Sequence, residues 1–96
     1  MSPKNKIKLN LLRNKLDKLD HQLLKTIKKR TEIIKKVIAL KSYKNEIVDK
    51  KRISTILRKI RKESLNQKID PKITQRIWKN MIWSYIDFEK RKFKKK

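Results

Sequence analysis

The chain has 96 residues with a formal charge of +22, no cysteine, no glycine, two prolines and one histidine. This length predicts one small domain over residues 1–96, and such a chain buries only a modest part of its surface alone. The absence of glycine leaves little turn chemistry for a β-sheet, the absence of cysteine excludes disulfides and thiolate metal sites, and one histidine disfavours a conventional zinc site.

The first predicted element is one unbroken helix over residues 5–42, because apolar residues recur there in steps of three and four. We call this apolar face the leucine seam. It consists of Leu9, Leu12, Leu16, Leu19, Leu23, Ile27, Arg30, Ile34, Val37 and Lys41. Such a helix measures about 55 Å, whereas a compact domain of this size is about 30 Å across. One chain cannot cover the seam, so we expect a second copy to do so.

Two further helices follow a polar connector at residues 43–48. Asp49 is a typical N-cap and predicts a second helix over residues 49–66. Asp70-Pro71 is the clearest start signal in the chain, an N-cap acid followed by proline at the first helical position. It predicts a third helix over residues 71–90, followed by a basic tail over residues 91–96. The apolar face of the third helix is expected to comprise Ile73, Ile77, Trp78, Met81, Ile82, Tyr85, Phe88 and Phe93.

Three charged residues occupy positions where the pattern predicts apolar ones. Arg30 and Lys41 lie on the leucine seam, and a buried cation costs several kcal/mol unless it is paired. Either their stems pack while their charged ends reach water, or the interior has a cavity for an anion. Glu89 follows Ile82 by seven residues and therefore lies on the apolar face of the third helix. It is either the internal salt-bridge partner of a seam cation or part of that cavity.

The net charge favours nucleic acid as a partner, but other features oppose this interpretation. Lysine outnumbers arginine by 24 to 7, the cations spread along the whole chain, and no nucleic-acid motif is recognisable. A solvated lysine coat is favoured instead. The chain has no apolar signal core and no run of roughly 20 apolar residues that would span a membrane, so we expect a cytoplasmic protein. With no nucleophile–base set and no glycine-rich loop, catalysis by positioning and fixed charge remains.

The stretch from Leu12 to Leu24, which reads LRNKLDKLDHQLL, resembles the opening helix of the all-α chorismate mutases. The family pattern there is L-R-x-x-I-D-x-I-D-x-x-L-L, followed by an arginine 17 residues after the first, which Arg30 matches. Further matches extend the resemblance over residues 9 to 90. They are Lys41 at the family's catalytic lysine, Asp49 and Arg52 at its D-x-x-R, Ile69-Asp70-Pro71 and Ile77-Trp78 at the entry of the third helix, and Glu89 at its late Gln/Glu position.

The resemblance implies an all-α, intertwined helical homodimer with two equivalent, shared active sites. Arg13 of one subunit would enter the partner's site and, with Arg30, bind the carboxylates of a dicarboxylate substrate. Lys41 and Glu89 would flank the ether oxygen of the bond that breaks.

Arg52 would lie near the substrate, and Asp49 beside it. The implied reaction is the rearrangement of chorismate to prephenate, in phenylalanine and tyrosine biosynthesis, without a cofactor or metal.

The chain departs from the family pattern at two positions. Ile53 stands where the family usually has an acid that contacts the ring hydroxyl of the substrate. Tyr85 stands where a small serine is common and is thereby a candidate substrate-binding residue, while Ser84 is one position away. These departures leave open a degenerate mutase kept as an interaction module. Two further alternatives are an isochorismate–pyruvate lyase, which a resembling scaffold also supports, and a basic helical nucleic-acid-binding protein, which the net charge favours.

Overall fold

The computed structural model describes residues 1–94 and is helical over most of that range. Helix α1 spans Pro3–Leu40, a single 3-10 turn spans Lys44–Glu46, α2 spans Lys50–Asn66 and α3 spans Pro71–Lys92. The predicted fold class, three helices of which the first is very long, is confirmed. Because α3 continues to Lys92, the predicted basic tail begins two residues later than expected, and its last two residues, 95 and 96, lie outside the described part.

Local hydrogen bonds define both ends of helix α1. Ser2 accepts a hydrogen bond on its Oγ from the Asn5 N–H at 3.2 Å, which satisfies one of the free donors of the first turn. At the other end, the Lys41 N–H donates to the Ile38 carbonyl at 3.1 Å. The helix therefore ends two residues before the predicted boundary, and Lys41 follows it instead of lying within it.

The chain divides into two compact units, Met1–Ile33 and Ile34–Lys96. The first unit contains only the N-terminal part of α1, and none of its residues is buried. Leu12, Leu16, Leu19 and Leu23 are each more than half exposed. The part of the leucine seam that lies in this unit is therefore an apolar face that no other residue of the unit covers. Within residues 1–94, none of the helices combines the length and apolar character that a membrane span needs.

The core of the second unit is small and joins the connector to α3. Ile47 is 3% exposed and packs with the buried Ile82 and Ile86 of α3. Partly buried side chains surround this cluster: Val48, Ile53, Ile56, Leu57 and Phe93. Ile47 lies in the connector, a segment that its polar sequence predicted to be irregular. Its burial therefore fixes the connector against α3.

The apolar face of α3 is only partly buried. Ile82 and Ile86 are in the core, whereas Ile73 and Ile77 are more than half exposed, contrary to the face predicted for them. Trp78 is half-buried and Trp83 is exposed. Ile73 and Ile77 lie in the first two turns of α3, where the second unit offers them too little cover.

Hydroxyl and amide groups complete the contact between α2 and α3. Ser64 Oγ donates to the Ile60 carbonyl at 2.6 Å, and the hydroxyl groups of Ser64 and Thr74 share a hydrogen bond of 2.7 Å. Gln75 Nε2 donates to the Leu57 carbonyl at 2.9 Å. Buried polar groups must be paired in this way, and each such bond stabilises the fold by about 1 kcal/mol.

The turn between α2 and α3 contains an unusual backbone conformation. Lys68 has φ of 58°, and the Ile69 N–H donates to the Ser64 carbonyl at 2.8 Å. This arrangement resembles the left-handed helix end that glycine normally supplies. In a chain without glycine, a lysine occupies that position.

Candidate active site

Lys41 and Glu89, the two residues expected to flank the reacting bond, lie next to each other. Lys41 Nζ is 3.5 Å from Glu89 Oε1, and their side chains are 19% and 9% exposed. A carboxylate so far withdrawn from water requires a partner. The pairing is what the salt-bridge alternative predicts. The same closeness is also what the resemblance implies, since an ammonium and a carboxyl group that flank one oxygen atom must lie near each other.

The last turns of α3 place Glu89 on the inner face of the helix. Asp70 accepts from the Lys72 N–H at 2.9 Å and starts α3 together with Pro71. Ile82, Ile86 and Glu89 follow each other in steps of four and three, so they share one face, and all three are buried. The Glu89 carbonyl accepts from the Phe93 N–H at 2.8 Å, and Phe93 packs against the core. The C-terminal end of α3 is therefore anchored where Glu89 lies.

Lys41 and Asp49 flank the connector, Lys41 before it and Asp49 directly after it. Glu46 Oε1 accepts from the Tyr43 N–H at 3.0 Å, which closes the 3-10 turn. Ile47 then packs against Ile82 and Ile86 of α3. Because both contacts restrain the segment, the positions of Lys41 and Asp49 are fixed relative to α3.

Asp49 caps α2, as its sequence position predicts. Its Oδ1 accepts from the Arg52 N–H at 3.0 Å, while the Arg52 side chain is exposed in the first turn of the helix. A surface depression lies beside this cap. It is lined by Lys41, Glu46, Val48, Asp49, Lys50 and Lys51. Lys41 thus contacts Glu89 and also borders the depression that Asp49 lines.

Sequence reasoning missed part of this lining. Glu46, Lys50 and Lys51 were not among the predicted site residues. Only Glu46 left a signal, an acid three residues after Tyr43, which is the spacing of a side chain that returns to a free backbone N–H. Lysines 50 and 51 could not be distinguished from the many other lysines of the chain.

The two departures from the family pattern have structural explanations. Ile53 packs against the core cluster, so this position is used for burial. Tyr85 is half-buried on α3, one turn before Glu89. Ser84 is exposed and its Oγ donates to the Asn80 carbonyl at 2.7 Å. A helix shift that would bring Ser84 to the Tyr85 position is therefore absent from this structure.

The remaining predicted residues lie in the first unit. Arg13 and Arg30 are both exposed on α1, whereas Lys41, Asp49 and Glu89 belong to the second unit. The structure thus brings together Lys41, Asp49 and Glu89, and the participation of the two arginines stays a prediction. Within residues 1–94, no group of three or more His, Cys, Asp or Glu side chains could hold a metal ion.

Comparison with known proteins assigns the chain to a family. The family model described as chorismate mutase type II matches residues 12–90. That span begins just before Arg13 and ends just after Glu89, so it includes all the residues predicted for the site. No curated protein and no solved structure is significantly similar to the chain. Because the match covers most of its length, the chain belongs to the chorismate mutase type II family.

Proposed function

We propose that the protein is a chorismate mutase that converts chorismate to prephenate on the branch toward phenylalanine and tyrosine. The observation that carries this proposal, within a chain of this family, is the 3.5 Å approach of Lys41 to Glu89 in a largely buried position. Lys41 supplies a fixed positive charge and Glu89 a group that can hold a proton. The proposed chemistry requires both at the same oxygen atom.

The reaction rearranges one molecule and gains or loses no atoms. The carbon–oxygen bond of the enolpyruvyl ether breaks while a carbon–carbon bond forms at the other end of the same group. No nucleophile or electron acceptor is needed, only a folded conformation of the substrate and stabilisation of the negative charge that develops on the ether oxygen. The Lys41 ammonium donates a charge-assisted hydrogen bond to that oxygen.

Glu89 assists only when it carries a proton. A carboxylate accepts hydrogen bonds and repels negative charge, whereas a carboxylic acid donates one. A protonated Glu89 would donate to the ether oxygen from the side opposite Lys41. In the free enzyme the two groups pair with each other, and the substrate's oxygen would take a place between them.

The carboxylates of chorismate require further cations. We assign Arg30 of the same subunit and Arg13 of the partner subunit to them, with Arg52 nearby and Asp49 beside the substrate. Each charge-assisted hydrogen bond contributes about 1.5–3 kcal/mol. Tyr85, one turn before Glu89, would contact the substrate from α3.

A second copy of the chain is part of this proposal. The exposed leucines of the first unit, Leu12, Leu16, Leu19 and Leu23, form an apolar face that is costly to leave in water. An intertwined homodimer would cover this face and would bring Arg13 of each chain into the site of the other. Light scattering should show a dimer at micromolar concentration. A fully helical monomer under those conditions would contradict the proposal.

One observation favours a second candidate, an isochorismate–pyruvate lyase. Ile53 packs in the core and offers no carboxylate to the ring hydroxyl of the substrate, whose position is what distinguishes chorismate from isochorismate. Both substrates are dicarboxylates, so the cations alone cannot discriminate between them. The product formed from each compound can, because the lyase releases pyruvate and the mutase does not.

The decisive experiment is a chorismate-depletion assay with the purified protein. We expect chorismate to disappear and prephenate to form without any added cofactor, and turnover to persist after nuclease treatment. Arg30→Ala and Lys41→Ala should each reduce kcat/KM at least tenfold. Lys28→Ala and Lys92→Ala, which remove the same charge from exposed positions, serve as controls. Equal losses in all four variants would mean that bulk charge attracts the substrate. The absence of turnover with both compounds would leave the two non-enzymatic alternatives, an interaction module and a nucleic-acid-binding protein.

A further inference from the structure

The lysines of α1 are concentrated on one side of the helix. At 100° per residue, Lys4, Lys8, Lys15, Lys18, Lys25 and Lys29 all fall within an arc of about 100° around the helix axis. We call this set the lysine stripe, and all six residues are exposed. The cations are spread evenly along the linear sequence, but the lysines of the stripe lie on one side of the axis of α1.

The acidic residues of the same segment avoid this arc. Asp17 and Asp20 lie within the length of the stripe, but both are more than about 120° from its centre around the axis. The other residues in the arc are uncharged: Ile7, Leu11, Gln22 and Thr26. Because no carboxylate interrupts the stripe, its positive potential is not neutralised locally. The stripe is also separate from the leucine seam, whose centre lies about 110° away around the axis.

The length of the stripe suits an extended polyanion. From Lys4 to Lys29 it measures about 38 Å along α1 at 1.5 Å per residue, which is close to one turn of a nucleic-acid duplex at about 34–36 Å. A duplex carries one negative charge per about 1.7 Å of its axis. Lysine binds phosphate as a point charge and requires no particular base. Six lysines at a spacing that follows the helix axis match the phosphate backbone and form no pattern for particular base edges, so binding would depend little on sequence.

We propose that the lysine stripe is a binding surface for the phosphate backbone of nucleic acid, additional to the proposed enzymatic activity and independent of it. An anionic membrane is a poorer fit for this surface. Helices that lie in a membrane interface insert their apolar face, and the apolar face of α1 is the leucine seam, which the second copy of the chain in the proposed homodimer would cover. The stripe itself offers only Ile7 and Leu11 for insertion.

The test is the salt dependence of binding to a fluorescent duplex DNA without a designed site. With six phosphate contacts, affinity should fall about a thousandfold between about 50 and 200 mM salt. The stripe variant replaces Lys8, Lys15, Lys18 and Lys25 with Gln, which keeps good helix propensity. Since each lost contact lowers the slope of log K against log salt by about one, its affinity should fall only about tenfold over the same range.

The matched control removes the same charge elsewhere. It replaces Lys6, Lys28, Lys59 and Lys79, all exposed and all outside the stripe, with Gln and should keep the wild-type slope. Circular dichroism checks that both variants are helical. If the fourfold stripe variant fails to fold, a variant with only Lys15→Gln and Lys18→Gln replaces it, and its slope should be reduced by about two. Equal slopes for stripe and control variants, no binding at low salt, or tighter binding to phosphatidylserine vesicles than to DNA would each overturn the proposal.

Discussion

A double-mutant cycle on Lys41 and Glu89 separates a structural ion pair from a catalytic one. At 3.5 Å and an effective dielectric constant of about 20, two unit charges attract each other by about 5 kcal/mol. The cost of removing both groups from water offsets much of this attraction. We therefore expect a net coupling between the two side chains of about 1–3 kcal/mol in the free energy of unfolding.

The variants are Lys41→Met, Glu89→Gln and the two combined, and chemical denaturation at fixed protein concentration measures the stability of each. Lys41→Met should lower the unfolding free energy by about 2–3 kcal/mol, because it leaves the 7%-exposed Glu89 without its cation. This is less than for a fully enclosed pair, since the Lys41 side chain is 19% exposed. Adding Glu89→Gln removes the unpaired charge and should restore most of the lost stability.

Activity should respond differently from stability in the same proteins. Lys41→Met should reduce kcat/KM for chorismate at least tenfold, which corresponds to the loss of one charge-assisted hydrogen bond of about 1.5–3 kcal/mol. The double variant should stay as inactive as Lys41→Met although its stability has returned. If activity returned together with stability, the pair would be a structural salt bridge and the catalytic roles assigned to both residues would be wrong.

Three further predictions each concern a single side chain of the structure. Glu89→Gln should preserve or raise kcat/KM at neutral pH, because an amide always carries a hydrogen-bond donor whereas a carboxylate only accepts, and a Glu89→Gln variant that folds normally but is inactive would refute the role assigned to Glu89. Lys68→Gly should stabilise the fold by about 1 kcal/mol, since glycine has no Cβ to oppose a φ of 58°, and an unchanged or lower denaturation midpoint would contradict this. Thr74→Val should destabilise the fold by about 1–3 kcal/mol, because it takes away the hydroxyl group that pairs with the buried Ser64, whereas exposed Thr55→Val should change stability by less than about 0.5 kcal/mol.

The helices could be predicted from the sequence because their signals are local. Asp49 and Asp70 cap α2 and α3 where the sequence predicted them, and the period of α1 has no interruption. The extent of burial could not be predicted, because it depends on which elements meet. The sequence predicts an irregular connector around Ile47, yet Ile47 is the most buried apolar residue of the core, whereas the predicted core residue Ile73 is exposed.

The candidate site was predictable only in part, for a similar reason. Family spacing identified Lys41 and Glu89, and their approach to within 3.5 Å agrees with that spacing. The lining residues Glu46, Lys50 and Lys51 belong to no motif and are placed by the turn and the cap that precede α2. The proposed contribution of Arg13 would depend on a second chain, so no property of a single chain could establish it.

Because the first unit is so exposed, we expect folding of this part of the chain to depend on assembly. None of the residues of Met1–Ile33 is buried, so within its own unit this helical segment relies on backbone hydrogen bonds and intrinsic propensity, which are marginal in water. By mass action, association with a second copy would then supply the missing stability in proportion to protein concentration. On dilution, we expect proteases to cleave α1 before α2 or α3, and specific activity to fall at the same concentration.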